Sequence, residues 1–268
     1  MTGCLMSKTG TDGIRTLNSR RIFDAHAHLS PGEDARIALL KEMDRNGIER
    51  SVVVAGAVAS PDRLSRQLVL GGEVHDDADN AAVLAGSERS GGRLVPFFFA
   101  NPHRPAAVYR EHGRSFRGLK LAPSVHGLPF TDPRVISLVA VAAELGHGVY
   151  AHCSNRPGFG VGDYVALARG FPSVTFALGH AGVGDLDLYG IDLIGPQHNI
   201  LFETSCGLTA TVGIALNRLG ADRLLFGSEY PLQAPRVELT KMECLDLTGS
   251  QWQAIAWDNA ARFAGVAG

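Results

Sequence analysis

Short apolar runs alternate with amphipathic stretches from residue 21 almost to the end of the chain. The apolar runs are largely continuous, which is typical of parallel strands covered on both faces. They predict eight strands, at about residues 20–25, 50–55, 93–99, 116–121, 148–153, 173–179, 199–204 and 222–227. The intervening stretches, such as 33–47, 132–146 and 162–170, have the spacing of helices. Eight alternating strand–helix units predict a slightly distorted (β/α)8 barrel rather than an open doubly wound sheet.

The units predict a single domain over residues 21–268, because no shift in composition marks a boundary within them. A barrel of this kind takes about 250 residues. Residues 1–20 lack an apolar segment, so we expect a flexible leader rather than a secretory signal. A helical tail is predicted at about 236–264, and the longest irregular segment, 56–78, follows the second strand. Loops in that position recognise substrates in barrel enzymes.

Composition and charge exclude several classes of function. The net charge is −2 and no stripe of lysine or arginine is present, so we expect no binding to nucleic acid. No run approaches the roughly 18 apolar residues of a membrane span. The four cysteines are far apart, which favours reduced thiols over disulfides or a structural zinc site. We therefore expect a cytoplasmic enzyme for a small molecule, which could assemble as a homodimer.

Several predicted strands end in a residue that can bind or support a divalent metal. These residues are His26 and His28, Lys120, His152, His180 and Glu229. Positions i and i+2 of a strand share a face, so His26 and His28 can converge on one ion. An H-x-H pair alone is weak evidence. Because the carboxyl ends of barrel strands meet on one face, the whole set predicts a catalytic metal site with one open position.

The motifs FDAHAHL, FRGLKLAP and FGSEYP, the strand-end histidines and the closing DNAARFAG resemble the amidohydrolase-related branch of the amidohydrolase superfamily. This branch includes aminocarboxymuconate semialdehyde decarboxylase, and the similarity runs from residue 21 almost to the end. The resemblance implies that His26, His28 and His152 are metal ligands and that His180 is catalytic. Glu229 replaces the usual aspartate, and we expect it to act as a ligand, as a base, or as both.

Two further positions bear on the resemblance. Lys120 occupies the place of the carboxylated lysine that bridges two metals in binuclear superfamily members. We expect instead an unmodified ammonium that adds positive charge for the substrate, because the branch usually holds one metal. Ala122 stands where the branch often has histidine.

The resemblance leaves three functions open. The first is a hydrolase of a small amide, lactone or ester, in which zinc, or alternatively manganese, activates water and Glu229 or His180 accepts its proton. The second is a decarboxylase of an unsaturated or aromatic acid, with Arg156 or Arg104 as a cation for the carboxylate. The third is a catalytically silent binding barrel, supported only by the exchange of aspartate for glutamate. His103 and His126 follow strands and are further candidates for substrate binding.

Overall fold

The computed structural model describes residues 21–56, 58–184 and 186–267. The predicted leader, residues 1–20, lies outside them. The strands are β1 (Ile22–Leu29), β2 (Ile48–Ala55), β3 (Leu94–Pro96), β4 (Phe98–Phe99), β5 (Gly118–Leu121), β6 (Gly148–Ala151), β7 (Phe176–Leu178), β8 (Ile200–Glu203) and β9 (Leu224–Leu225). All neighbouring pairs are parallel, and they form two sheets in the orders β1-β2-β3 and β4 to β9.

The two sheets close into one barrel at both seams. β3 and β4 are halves of one predicted strand that is interrupted at Phe97, whose N–H still donates to the carbonyl of Val53 at 2.9 Å. At the other seam, the N–H of Ala25 donates to the carbonyl of Phe226 at 2.8 Å. The N–H of Glu229 donates to the carbonyl of His26 at 3.0 Å. The predicted (β/α)8 barrel is confirmed.

Helices connect the strands and form the outer layer. They are α1 (Glu33–Arg45), α2 (Pro61–Leu70), α3 (Asn80–Glu88), α4 (Ala106–His112), α5 (Pro123–His126), α6 (Pro133–Leu145), α7 (Val161–Arg169), α8 (Leu188–Ile194), α9 (Thr209–Leu219), α10 (Pro235–Glu243), α11 (Gly249–Gln253) and α12 (Asn259–Phe263). A π-helical turn, Ala254–Asp258, joins the last two. At the start of α6, the Asp132 side chain accepts from the N–H of Arg134 at 2.8 Å, and Pro133 occupies the first helical position.

The prediction that residues 56–78 are irregular was wrong, because α2 lies within them. The hydroxyl of Ser60 caps α2 by accepting from the N–H of Arg63 at 3.2 Å. Gln67 then fastens α2 to α5, donating to the carbonyls of Ser124 at 2.8 Å and Val125 at 2.6 Å. The cap and proline could have been read from the sequence. The helix contributes to the wall of the cavity described below.

The two ends of the barrel differ in chemistry. Phe23, at the start of β1, lies 5.6 Å from the Trp257 ring, and Phe97 lies 5.4 Å from Phe263. The C-terminal helices thus close the amino end of the barrel with apolar side chains. They confirm the predicted helical tail, which consists of several short helices. Polar side chains collect at the carboxyl end. No helix in the described ranges is long and apolar enough to cross a membrane.

Candidate metal centre

Glu229, which follows β9, lies among three of the predicted histidines. Its Oε2 is 3.1 Å from His26 Nε2 and 3.5 Å from His180 Nδ1, and its Oε1 is 3.2 Å from His28 Nε2. The backbone of Glu229 adopts a left-handed conformation, with φ 58°. The carboxylate therefore sits where one ion could contact both histidines of β1.

His152 and Lys120 complete the cluster from the neighbouring strands. The rings of His152 and His180 have centroids 4.1 Å apart. Lys120 Nζ lies 3.2 Å from His26 Nε2 and contacts His152 Nε2. Tyr150 lies beside them, with its ring stacked on His26 at 4.1 Å and Lys120 Nζ 4.1 Å from its centroid. All six predicted strand-end residues thus meet at the carboxyl end of the barrel.

Burial controls protonation in this cluster. It lowers the pKa of His26 and of His152 well below the usual 6.5, and the nearby Lys120 lowers both further. It lowers the pKa of Lys120, which has no exposed surface, from 10.5 to about 7. Burial opposes ionisation of Glu229, but the surrounding imidazoles outweigh it and keep its pKa below the usual range. The cluster therefore combines the Glu229 carboxylate with the neutral imidazoles of His26 and His152, which is the protonation state that metals bind.

The orientation of His28 fits a bound cation. Its Nδ1 lies 3.3 Å from the carbonyl oxygen of Ala55, which can only accept a hydrogen bond. In a neutral ring the proton is then on Nδ1, and the Nε2 lone pair faces Glu229 Oε1 at 3.2 Å. Glu229 Oε2 is buried and has no hydrogen-bond donor among the described residues. Lone pairs that face one another in this way repel unless a cation lies between them.

Two overlapping groups of ligand atoms could hold the ion. One is His26, His28 and Glu229, and the other is His26, His152 and His180, with ligand atoms within 4.8 Å of one another in each. Imidazole and carboxylate ligands suit zinc, and imidazole also suits other transition metals. The predicted ligands His26, His28, His152 and Glu229 are divided between these two groups, and their action as one ligand set stays a prediction.

Two buried carboxylates that support the cluster had no role in the sequence prediction. Asp24 accepts from Ser228 Oγ at 2.6 Å and from the N–H groups of Ser228 at 2.9 Å and His26 at 3.1 Å. Asp24 thereby ties β1 to the residue before Glu229, and burial raises its pKa to about 7. The sequence feature that could have indicated this role is the position of Asp24 two residues before His26, on the same face of β1. Glu203 ends β8 behind His180, and its signal was a charged residue inside the apolar run NILFET.

A cavity of about 250 Å³ opens beside the cluster. His28, His152 and Glu229 form its polar end. Most of the remaining wall is apolar, with Val58, Leu64, Phe99, Ala122, Val125 and Leu232 among its residues. Ala122 is the position where a histidine would have added a polar group. The cavity can hold a small molecule with one polar group at the cluster and an apolar body.

The family model for amidohydrolases matches residues 23–266. The chain belongs to the amidohydrolase family. No curated protein matches it.

Solved structures similar to this amidohydrolase share its fold at low identity. A 5-carboxyvanillate decarboxylase from Novosphingobium aromaticivorans, in complex with manganese and 4-hydroxy-3-methoxy-5-nitrobenzoic acid, has 14% identity and a TM-score of 0.68, over 93% of this chain and 97% of that one. A 2,6-dihydroxybenzoate decarboxylase from Rhizobium has 16% identity and a TM-score of 0.66, over 92% and 99%. A proposed 2-pyrone-4,6-dicarboxylic acid hydrolase from Pseudomonas putida has 17% identity and a TM-score of 0.65, over 91% and 97%.

None of the five residues that the sequence analysis predicted for substrate binding forms part of the cavity wall of this amidohydrolase. Lys120 contacts His26 and His152 within the cluster. The Arg156 guanidinium lies 4.6 Å from the Phe159 ring. His103 Nε2 donates to the carbonyl of His126 at 2.8 Å, and His126 Nδ1 donates to the carbonyl of Val74 at 2.9 Å. Arg104 pairs with Asp77 at 3.0 Å. A role in substrate binding stays a prediction for each.

Proposed function

We propose that this amidohydrolase is a metal-dependent hydrolase of a small, neutral amide, lactone or ester. The supporting observation is the composition of the cavity, since none of the described residues that line it is a lysine or an arginine. A substrate carboxylate that entered would find no cationic side chain on the wall, so the metal ion alone would have to offset its repulsion by Glu229 and its loss of hydration. A neutral carbonyl compound avoids that cost.

The roles of the residues follow from their positions. His26, His28, His152 and Glu229 would hold one divalent ion, zinc or manganese, and the ion would supply Lewis acidity toward water and a carbonyl oxygen. Within the described part of the chain, Glu229 Oε2 has no hydrogen-bond donor, and it can accept a proton from a water at the polar end of the cavity. His180 is the alternative base, because its ring lies within the cluster, with its centroid 4.1 Å from that of His152. The apolar wall would hold the body of the substrate and limit access of bulk water.

Activity on matched substrates tests this proposal. We expect the purified protein to release acid from small esters, lactones or amides in a pH-stat assay. Chelation should stop the release, and zinc or manganese should restore it. The same preparation should release no carbon dioxide from aromatic acids of equal size. Carbon dioxide release without acid production, or full hydrolysis after complete removal of metal, would overturn the proposal.

The second candidate function is decarboxylation of an aromatic acid. Two of the structural neighbours are decarboxylases of such acids, and one of them binds manganese. An aromatic ring would suit the apolar wall near Phe99. The metal would then be the main cation for the substrate carboxylate. Inhibition by a nitrobenzoate analogue, together with carbon dioxide release, would favour this candidate.

A further inference from the structure

Behind His180, a buried glutamate and a serine form a hydrogen-bonded chain that ends on the imidazole. We propose that Glu203 and Ser205 are positioning residues that hold His180 in one tautomer, with the proton on Nδ1 and the lone pair on Nε2. This inference rests on the proposed function, in which His180 acts beside the metal. It adds two residues to that function and assigns the direction of each hydrogen bond.

Glu203 is the fixed end of the chain. Its side chain has no exposed surface, and its Oε2 accepts from Tyr150 OH at 2.7 Å, the N–H of His180 at 2.9 Å and Ser205 Oγ at 2.8 Å. Its Oε1 accepts from the N–H of Ser205 at 2.6 Å. Four donors on two oxygens are the arrangement that a carboxylate accepts. The Ser205 hydroxyl therefore donates toward Glu203.

The direction of the next hydrogen bond follows from counting protons. A serine hydroxyl has one proton, and in Ser205 that proton is directed to Glu203. The Ser205 oxygen lies 3.0 Å from His180 Nδ1 and must act there as an acceptor. His180 Nδ1 therefore carries a proton. In the neutral ring, Nε2 then has the lone pair that a metal ligand or general base requires.

Glu203 also fixes the backbone that presents this ring. His180 and Ala181 have φ values of 58° and 55°, in the left-handed region that costs energy for residues other than glycine. The Glu203 side chain accepts from the N–H of His180, and its backbone carbonyl accepts from the N–H of Ala181 at 2.9 Å. Gly227 leaves room for the carboxylate, because a Cβ there would lie 2.2 Å from Glu203 Oε1. One buried glutamate therefore sets both the position and the tautomer of His180.

Removal of the Ser205 hydroxyl should allow His180 to adopt either tautomer while the protein stays folded. Ser205→Ala leaves Glu203 with its donors from Tyr150 and the backbone. His180 Nδ1 then loses its acceptor at 3.0 Å, and the next acceptor is Glu229 Oε2 at 3.5 Å. Ser205→Thr keeps a hydroxyl. Ser124→Ala is a matched control, because the Ser124 hydroxyl is also buried but has no hydrogen-bond partner among the described residues.

Long-range ¹⁵N–¹H NMR of histidine-labelled protein reads the tautomer directly, with the His180 signals assigned from a His180→Asn variant. In metal-free wild-type protein at neutral pH we expect the proton on Nδ1. Ser205→Ala should give a mixture of tautomers, whereas Ser205→Thr and Ser124→Ala should match the wild type. In the metal-loaded enzyme, Ser205→Ala should lower kcat about 10- to 100-fold with little change in KM, the usual effect of losing a residue that orients a ligand.

A wild-type proton on Nε2, or a Ser205→Ala spectrum identical to the wild type, would refute the inference. Failure of Ser205→Thr to restore the wild-type spectrum would also count against it. The proposed function fails separately: if no ester, lactone or amide is hydrolysed while the expected tautomers are seen, the chain of hydrogen bonds stands and the reaction is wrong.

Discussion

Shortening Glu229 to aspartate tests whether the extra methylene is needed for metal binding. The Glu229 oxygens lie 3.1 Å from His26 Nε2 and 3.2 Å from His28 Nε2. Removing one methylene withdraws the carboxylate by up to about 1.5 Å, the length of a carbon–carbon bond. These separations would then reach about 4.6 and 4.7 Å, too long for the carboxylate to share an ion with both imidazoles when zinc–ligand bonds are about 2.0–2.2 Å. The fold should persist, because aspartate tolerates a positive φ better than most residues.

We expect Glu229→Asp to weaken metal affinity by about 10- to 100-fold, which corresponds to about 1.4–2.8 kcal/mol. A competition titration with a chromophoric chelator measures this directly. Glu229→Gln is the matched control: it keeps the length and removes the charge, so it should weaken binding as well. Unchanged affinity in Glu229→Asp would refute the reasoning. If affinity stayed the same while activity fell, Glu229 would act as a base and not as a ligand.

Three further predictions concern other parts of the molecule. Lys120→Met should stabilise the metal-free protein more at pH 6 than at pH 10, measured as the melting temperature. Burial lowers the Lys120 pKa to about 7, so the cost of protonating the buried amine is fully present below pH 7 and disappears as pH rises toward 10.5. An equal gain at both pH values would contradict this. Leu64→Arg places a cation on the cavity wall. It should lower KM at least about tenfold for esters that carry a carboxylate and leave KM unchanged for neutral esters. An equal change in KM for both kinds of ester would count against the proposed cavity. Trp257→Ala should destabilise the protein by about 3–5 kcal/mol in urea unfolding while metal affinity stays constant, because the ring lies at the opposite end of the barrel from the cluster. A loss of metal affinity in the folded variant would show that the two ends are coupled.

Much of the fold could be predicted because each parallel strand is a short, continuous apolar run, whereas apolar residues in the helices recur every three to four positions. The interruption at Phe97 and the helix α2 were not predicted. Phe97 continues the apolar run, so the run alone does not indicate where the regular pairing stops. α2 begins with Ser60 as its cap and Pro61 as its first residue, which are typical of a helix start, but its last three residues, 68–70, form an apolar run that lies exposed in the fold and does not by itself indicate a helix.

The convergence of the six strand-end residues was predictable from order alone, since the carboxyl ends of barrel strands share one face. The supporting carboxylates were not assigned, because a strand's period of two tells which face a side chain occupies and not which partner it meets. Glu203 shows the limit: its partners Tyr150 and His180 come from β6 and the loop after β7, which are distant in sequence.

The sequence by itself determined the strand and helix order and which side chains stand at the strand ends, because these depend on local periodicity and chain direction. Tertiary structure alone decided how Glu229 reaches the histidines, which carboxylate supports His180, and that the cavity wall is apolar. It also placed Arg156, His103 and His126 away from that wall. These features depend on distances between loops that no local pattern specifies, and loops are where barrels of the same order differ most.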